Sequence, residues 1–298
     1  MGGMPIAKLQ EVLRRQGAAP TDSEVTIEQR RKGMEKTSFP VAGDIEVTPT
    51  KAAGMDAEWL SAPGADSEHA ILYLHGGGYV IGSLVTHRAL AGEISRAAKA
   101  KVLLVDYRLA PENPYPAAVE DGVAAYKWLL EQGYTAQKTA IAGDSAGGGL
   151  TAATLVALRD ESGPLPGAAV CISPWSDLTC SHETYQTRAE ADPMIQQPGI
   201  ADMAGAYLQG ADAKSPTASP NYADLTGLPP LLIHVGDAEV LLGDSLDLHE
   251  KAKACGVDST LEVWDEMIHV WHAFHPMLDE GKQAIEGIGV FLRDKWPG

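Results

Sequence analysis

With 298 residues, 45% of them apolar, the chain can bury a sizeable core as one large α/β domain with an elaboration or as two small domains. Its formal net charge of −17 repels nucleic acid and anionic membrane, and disfavours a strongly anionic substrate. Cys171, Cys180 and Cys255 form neither a zinc-ligand pattern nor a disulfide framework; with no secretory signal and no apolar run of about 18 residues, a cytoplasmic protein with reduced thiols is expected.

In chain order, Ile6, Leu9, Val12 and Leu13 recur at helical spacing, and Gly17 with Pro20 ends that helix. A second helix, charged on most faces, is predicted over Thr26–Lys36. Two strands follow, near Ile45–Thr48 and Ala57–Ser61, joined by a turn containing Gly54. From there strands and helices alternate. Strands are predicted at Ala70–Leu74, Val102–Val105, 139–142, Ala168–Ser173, Leu231–Val235 and Thr260–Trp264. Helices are predicted at Thr86–Ala98, Ala117–Glu131, after the 139–142 strand to about Arg159, at Asp244–Ala254 and at Lys282–Asp294. This alternation predicts a mostly parallel sheet covered by helices on both faces. One stretch breaks the rhythm. Between Ser181 and about Asn221 the sequence is helical, mixed in polarity and punctuated by Pro193, Pro198, Pro216 and Pro220, with no strand. An insertion there lies over the C-terminal ends of the strands, where open α/β sheets bind ligands, and is read as a lid.

Two motifs carry chemistry. Gly143-Asp144-Ser145-Ala146-Gly147 stands where the 139–142 strand turns into a helix. A serine at such a turn is held in strained backbone geometry with its hydroxyl clear of the sheet, and its neighbours two positions away must be small. This is the nucleophile elbow of an α/β-hydrolase fold. His75-Gly76-Gly77-Gly78-Tyr79 follows the strand Ala70–Leu74. Three glycines there let main-chain N–H groups face an incoming oxygen, the partner loop of the elbow in lipases and esterases. Neither a Gly-Lys-Ser/Thr ending nor GxGxxG spacing is present, so the loop is not read as a phosphate cradle.

A serine nucleophile needs a base, and the base needs an acid to orient it. In this fold the chain order is serine, acid, histidine. His269, in the loop after the Thr260–Trp264 strand, fits the base. His234 lies inside a strand run and reads as a core histidine; His272 and His275 read as packing or surface residues; His69, His87, His182 and His249 fall away from the strand ends. The acid should follow Leu231–Gly236, where Asp237 and Glu239 are both candidates. Asp144 would point away from the serine hydroxyl and is assigned a structural hydrogen-bonding role. The proline-rich stretch Tyr107–Pro116 reads as a rigid loop pinned by an arginine–carboxylate pair, not as catalytic machinery.

The chain resembles the hormone-sensitive lipase family of α/β-hydrolases, in its bacterial esterase branch. The resemblance spans essentially the whole sequence. It rests on His75–Gly78, on Asp106-Tyr107-Arg108-Leu109-Ala110-Pro111-Glu112, on Gly143–Gly148 and on Asp265–Phe274 around His269. Family members usually carry the acid in an Asp-Pro-Leu triplet. The best counterpart here is Glu239-Val240-Leu241, so the resemblance implies that glutamate replaces aspartate, with Asp237 as the alternative. It further implies that residues 1–42 and 181–221 form a helical cap over a catalytic domain of 43–180 and 222–298. Met34, Met203, Tyr207 and Leu208 are then expected as pocket walls, and a homodimer through the Thr260–Trp264 strand and its neighbouring helix is expected.

The expected function is a serine carboxylesterase acting on short- to medium-chain acyl esters through an acyl-enzyme. Ser145 is the nucleophile, His269 the base and Glu239 the acid, with Gly76, Gly77 and Ala146 as oxyanion donors. No metal or organic cofactor is required, and the only expected partners are a small-molecule ester and a second copy of the chain. The alternative is a small-molecule-binding protein on the same fold without turnover; such a protein would be expected to lose the histidine, and His269 is present in an intact motif.

Overall fold

The computed structural model describes residues 3–16 and 25–297. Helix α1 (Ile6–Gln16) therefore stands, while its expected stop at Gly17 and Pro20 lies outside the described residues. Helix α2 (Ile27–Thr37) starts where the Thr26 hydroxyl accepts from the Gln29 amide and the Gln29 side chain accepts from the Thr26 amide, a reciprocal cap. Strands β1 (Glu46–Ala52) and β2 (Met55–Ser61) are longer than composition suggested. They pair over their full length as a hairpin, closed by Ala53 and Gly54, both at positive φ, which matches the right-handed twist of the flanking strands. Pro49 is tolerated because β1 is an edge strand.

The remaining strands are β3 (Ala70–Leu74), β4 (Lys101–Val105), β5 (Thr139–Asp144), β6 (Ala168–Ile172), β7 (Leu231–Gly236) and β8 (Ser259–Trp264). The sheet has the order β1-β2-β4-β3-β5-β6-β7-β8, parallel from β4 to β8, with β1 and β2 antiparallel. Helices α3 (Leu84–Ala98), α4 (Ala117–Glu131), α5 (Ala146–Asp160), α8 (Leu242–Ala254) and α9 (Asp279–Lys295) cover it; α6 (Thr184–Thr187) and α7 (Gln197–Leu208) lie between β6 and β7, where no strand forms among the described residues. This is the mostly parallel, helix-covered sheet that the alternating pattern predicts, and the α/β-hydrolase architecture that the elbow and the resemblance imply. Three helix starts come earlier than expected: α8 begins at Leu242 rather than Asp244, and two others shift for local reasons. Helix α3 begins at Leu84 because the Thr86 hydroxyl bonds back to the Ser83 amide and carbonyl. Helix α9 begins at Asp279, with Asp279 and Glu280 favouring the positive end of the helix dipole.

Side chains alternate across the sheet as a two-residue period requires. Leu72, Leu103, Ile141, Cys171 and Ile233 face α4, α5 and α8, whereas Ile71, Val102, Ala140, Val170 and Leu232 face α3 and α9. Both faces are therefore dry, and β3, β5, β6 and β7 read as unbroken buried runs. A third, smaller cluster joins Ile6 and Leu9 of α1 to Met267, Ile268, Trp271 and Leu278, so α1 packs on the loop that carries His269. Helix α2 is tied down by Arg31, which donates to the Val80 and Ala110 carbonyls and makes a two-pronged contact with Glu112 at 2.8 Å. Arg108 instead holds Asp121 and Glu120, so two arginine–carboxylate clusters pin the proline-rich loop. No helix among the described residues is long and apolar enough to cross a membrane.

Helices α3 and α9 cross at Gly289, where a Cβ would run into the Ala97 backbone carbonyl. Gly289→Ala should therefore destabilise the protein by about 1–3 kcal/mol. Gly205 on α7 is exposed with open space at its Cβ position. Gly205→Ala should stabilise it by about 0.5–1 kcal/mol. Paired denaturant titrations check both signs.

Candidate active site

The C-terminal ends of β3, β5, β6, β7 and β8 deliver one group of residues each. After β5, Ser145 has φ 54° and ψ −123°, a conformation that costs a non-glycine residue of order 1–3 kcal/mol. It persists because three main-chain bonds fix it: its amide donates to Ile172 O at 2.8 Å, and its carbonyl accepts from Trp175 N at 2.9 Å and Gly149 N at 3.1 Å. The flanking glycines are steric necessities. A Cβ on Gly147 would collide with the Leu74 carbonyl, and one on Gly143 would collide with the Gly147 carbonyl. The turn is thus pressed against the end of β3, next to the glycine loop.

After β8, His269 is buried, and its Nδ1 lies 2.7 Å from Glu239 Oε2. Glu239 follows β7 and is itself fully buried. Its other oxygen accepts from the Gly236 amide at 2.7 Å and the Ser173 hydroxyl at 2.8 Å. Burial alone would lower the His269 pKa, but the Glu239 hydrogen bond and the negative charges of Glu239, Asp192 and Asp144 outweigh it and hold the imidazole above its ordinary value. Segment 172–175 connects the two halves of the site: it carries two of the three main-chain partners of Ser145, Ile172 and Trp175, and its Ser173 hydroxyl accepts from Val270 N, the residue after His269. Asp237 lies elsewhere. Its Oδ1 accepts from Glu266 N at 2.7 Å and so fastens the turn that precedes the histidine loop.

The glycine loop requires one correction. The Gly76 amide, expected as an oxyanion donor, already donates to Asp144 Oδ1 at 3.2 Å, with His87 Nε2 also 3.2 Å away. An amide aimed into that buried cluster does not face the serine. Among the described residues the Gly77 and Gly78 amides donate to no protein acceptor, and Ala146 N belongs to the first turn of α5, where helix amides lack internal partners. Gly77, at φ 119°, and Gly78, at φ 61°, occupy backbone conformations that favour glycine. The donor set this geometry leaves free is Gly77, Gly78 and Ala146.

Asp144 is the hub beneath the loop. It accepts from Tyr73 Oη at 2.8 Å and lies 3.2 Å from His87 Nε2. Burial would raise its carboxyl pKa, but the His87 and Tyr73 contacts hold it below the usual range. His87 is therefore a neighbour of the site, contrary to its expected place away from the strand ends; its helix position gave no sign of that. His75, stacked on Tyr107, is pushed down to about 3 by burial and by His87, so it stays neutral. His234 and His272 are buried against each other, Nδ1 to Nε2 3.0 Å.

Of the four expected wall residues, Met203 on α7 packs directly against Gly78, so a Cβ there would strike its Sδ. Tyr207 is buried with one ring face stacked on Tyr79, centroids 3.9 Å apart, and with Tyr115 meeting its ring edge-on. It backs the loop rather than offering a free wall. Leu208 is half-buried beside it, and Met34 is half-buried on α2. Two residues that the sequence did not single out also reach the site. One is Ser173. The other is Asp192, whose Oδ2 accepts from Val240 N beside Glu239 and whose Oδ1 accepts from Met194 N and Ile195 N.

Residues 71–273 match the family described as alpha/beta hydrolase fold. An acetyl-hydrolase from Streptomyces hygroscopicus is 51% identical over 270 residues, 90% of each chain. The crystal structure of an esterase/lipase from an uncultured bacterium is 62% identical, covers 98% of each chain and superposes with a TM-score of 0.95. An esterase described as belonging to the bacterial hormone-sensitive lipase family is 49% identical over the full length of both chains, with a TM-score of 0.94. With the elbow, the glycine loop and the histidine loop in place on the same sheet, the chain belongs to the hormone-sensitive lipase family of α/β-hydrolases.

Proposed function

We propose that the ester hydrolysis carried out by this chain runs through Ser145, His269 and Glu239. The chain is a carboxylic-ester hydrolase, and its substrates are small esters. His269 takes the proton from Ser145, and the alkoxide attacks the ester carbonyl. The amides of Gly77, Gly78 and Ala146 receive the developing oxyanion. His269 returns the proton to the leaving alcohol, and water repeats the cycle on the acyl-enzyme. Glu239 fixes the imidazole tautomer and stabilises its cation. The observation that carries this reading is the buried 2.7 Å Glu239–His269 contact, anchored to the segment that also holds the elbow. It supports glutamate over Asp237, which is occupied with Glu266 N.

Residues 1–42 and 181–221 act in this proposal as the cap, with Met203, Leu208 and Met34 limiting the pocket to short and medium acyl chains. The support is Met203 against Gly78 and Arg31 tying α2 to Val80 beyond the glycine loop. The chain works as a cytoplasmic homodimer. The unpaired cysteines support a reducing compartment. Edge strand β8 and helix α9, where Val263 and Val290 are exposed, support the pairing face.

Ser145→Ala should leave the fold intact and lower kcat on p-nitrophenyl butyrate by about 10⁴-fold or more. Glu239→Gln should lose orders of magnitude, as a neutral isostere favours the wrong tautomer, while Asp237→Asn should lose far less. Both are compared at equal folded fraction by circular dichroism.

The base must be neutral, and its pKa is held above the ordinary value of about 6.5. The acid limb of kcat/KM should therefore have its midpoint above that value. The same shift has the opposite sign for stability: the imidazolium's contribution is present below about pH 6.5 and fades as pH rises through the folded-state pKa. A pH–rate profile alongside thermal melts across the same range checks both.

Sedimentation at micromolar concentration should give a dimer, and Val263→Lys with Val290→Lys should give a monomer.

A further inference from the structure

We infer that Ser173 is a positioning residue for the ester hydrolysis, one hydroxyl that locks the acid and the base of the site into a single unit. This rests on Glu239 and His269 acting as acid and base. Ser173 ends the run from β6 and is fully buried. Its hydroxyl donates its only proton to Glu239 Oε1 at 2.8 Å and accepts from the Val270 amide at 3.1 Å. One oxygen thereby bridges the carboxylate that touches His269 and the residue bonded to His269. No other side chain among the described residues makes both contacts.

The surrounding backbone shows what the bridge is holding. Ser173 has φ 44° and Val270 φ 48°, both left-handed. For a β-branched residue such as Val270 this is an unfavourable conformation, which persists only when its surroundings over-determine it. The Ser173 amide is itself bound to His234 O at 2.7 Å, so the serine is anchored to β7 and cannot drift with the loops it joins. Glutamate has one more rotatable bond than aspartate, so an acid of this type needs its second oxygen held as well as its first. Ser173 and the Gly236 amide, at 2.7 Å, do that together. Removing the Gly236 amide would take a proline, for which the Met267 carbonyl leaves no room, but the Ser173 hydroxyl can be removed cleanly.

The test uses Ser173→Gly and Ser173→Ala in the full chain. Glycine suits φ 44°, so its variant keeps the turn while losing the hydroxyl, and it decides the matter if the alanine variant folds poorly. With p-nitrophenyl butyrate, kcat should fall roughly ten- to hundredfold with KM changed by less than about twofold, the pattern of a misaligned catalytic group. The low-field proton resonance of His269 Nδ1–H should shift or broaden, which loss of packing elsewhere would not produce. A Ser173→Gly enzyme with kcat within about threefold of wild type and that resonance unmoved, beside an inactive Glu239→Gln, overturns the role of Ser173 and leaves the triad standing. A Glu239→Gln enzyme of near wild-type activity overturns the triad reading and this inference with it.

Discussion

The close approach of the Ser145 turn to the end of β3 is the constraint on which the site depends. Gly147 lies against the Leu74 carbonyl, with no room for a Cβ. That contact brings the start of α5 beside the glycine loop, so the free amides of Gly77, Gly78 and Ala146 gather at one place. It also forces Ser145 to positive φ, a strain absorbed by main-chain bonds to Ile172, Trp175 and Gly149. A parallel sheet buried on both faces is rigid enough to bear this load, and the shared strand direction places the other groups at the same, C-terminal end of the strands.

The second constraint is electrostatic. A chain of net charge −17 keeps Asp144, Asp192 and Glu239 buried around one histidine. An unpaired buried carboxylate is costly, and each of these is hydrogen-bonded. Asp144 has Tyr73, Gly76 N and His87; Asp192 has three amides; Glu239 has Ser173, Gly236 N and His269. Their summed field favours the imidazolium that forms when His269 takes a proton. The network also links distant parts of the chain: α1 packs on the histidine loop, and Asp192, from the segment between β6 and β7, grips the main chain next to Glu239.

What could be read from the sequence was whatever is local. The elbow, the glycine loop and the alternation of strands and helices are short-range patterns, and they specified the fold and the nucleophile turn. His269 reads as the candidate base from its place after the last strand. Glu239 needed a family likeness, because Asp237 is two residues away and equally polar; only the fold shows that Asp237 turns toward Glu266 N. The Gly76 amide departs from its expected role because its direction is set by Asp144, 68 positions along the chain. Ser173, Asp192 and His87 reach the site through contacts across 66, 48 and 57 positions, which no periodicity records. Helix starts moved by two or three residues where Thr86 or Asp279 supplied a local signal that the apolar pattern ignored.

The central claim is that the Ser145 hydroxyl oxygen is the nucleophile, and covalent trapping tests it most directly. The enzyme would be titrated with a p-nitrophenyl organophosphate, residual activity followed in parallel, and the product digested and mapped by mass spectrometry. The expected result is one adduct per chain, on the peptide holding Gly143–Gly147, with activity lost in proportion to labelling. Complete inactivation with the label on another residue, or full labelling of Ser145 with activity retained, would contradict it.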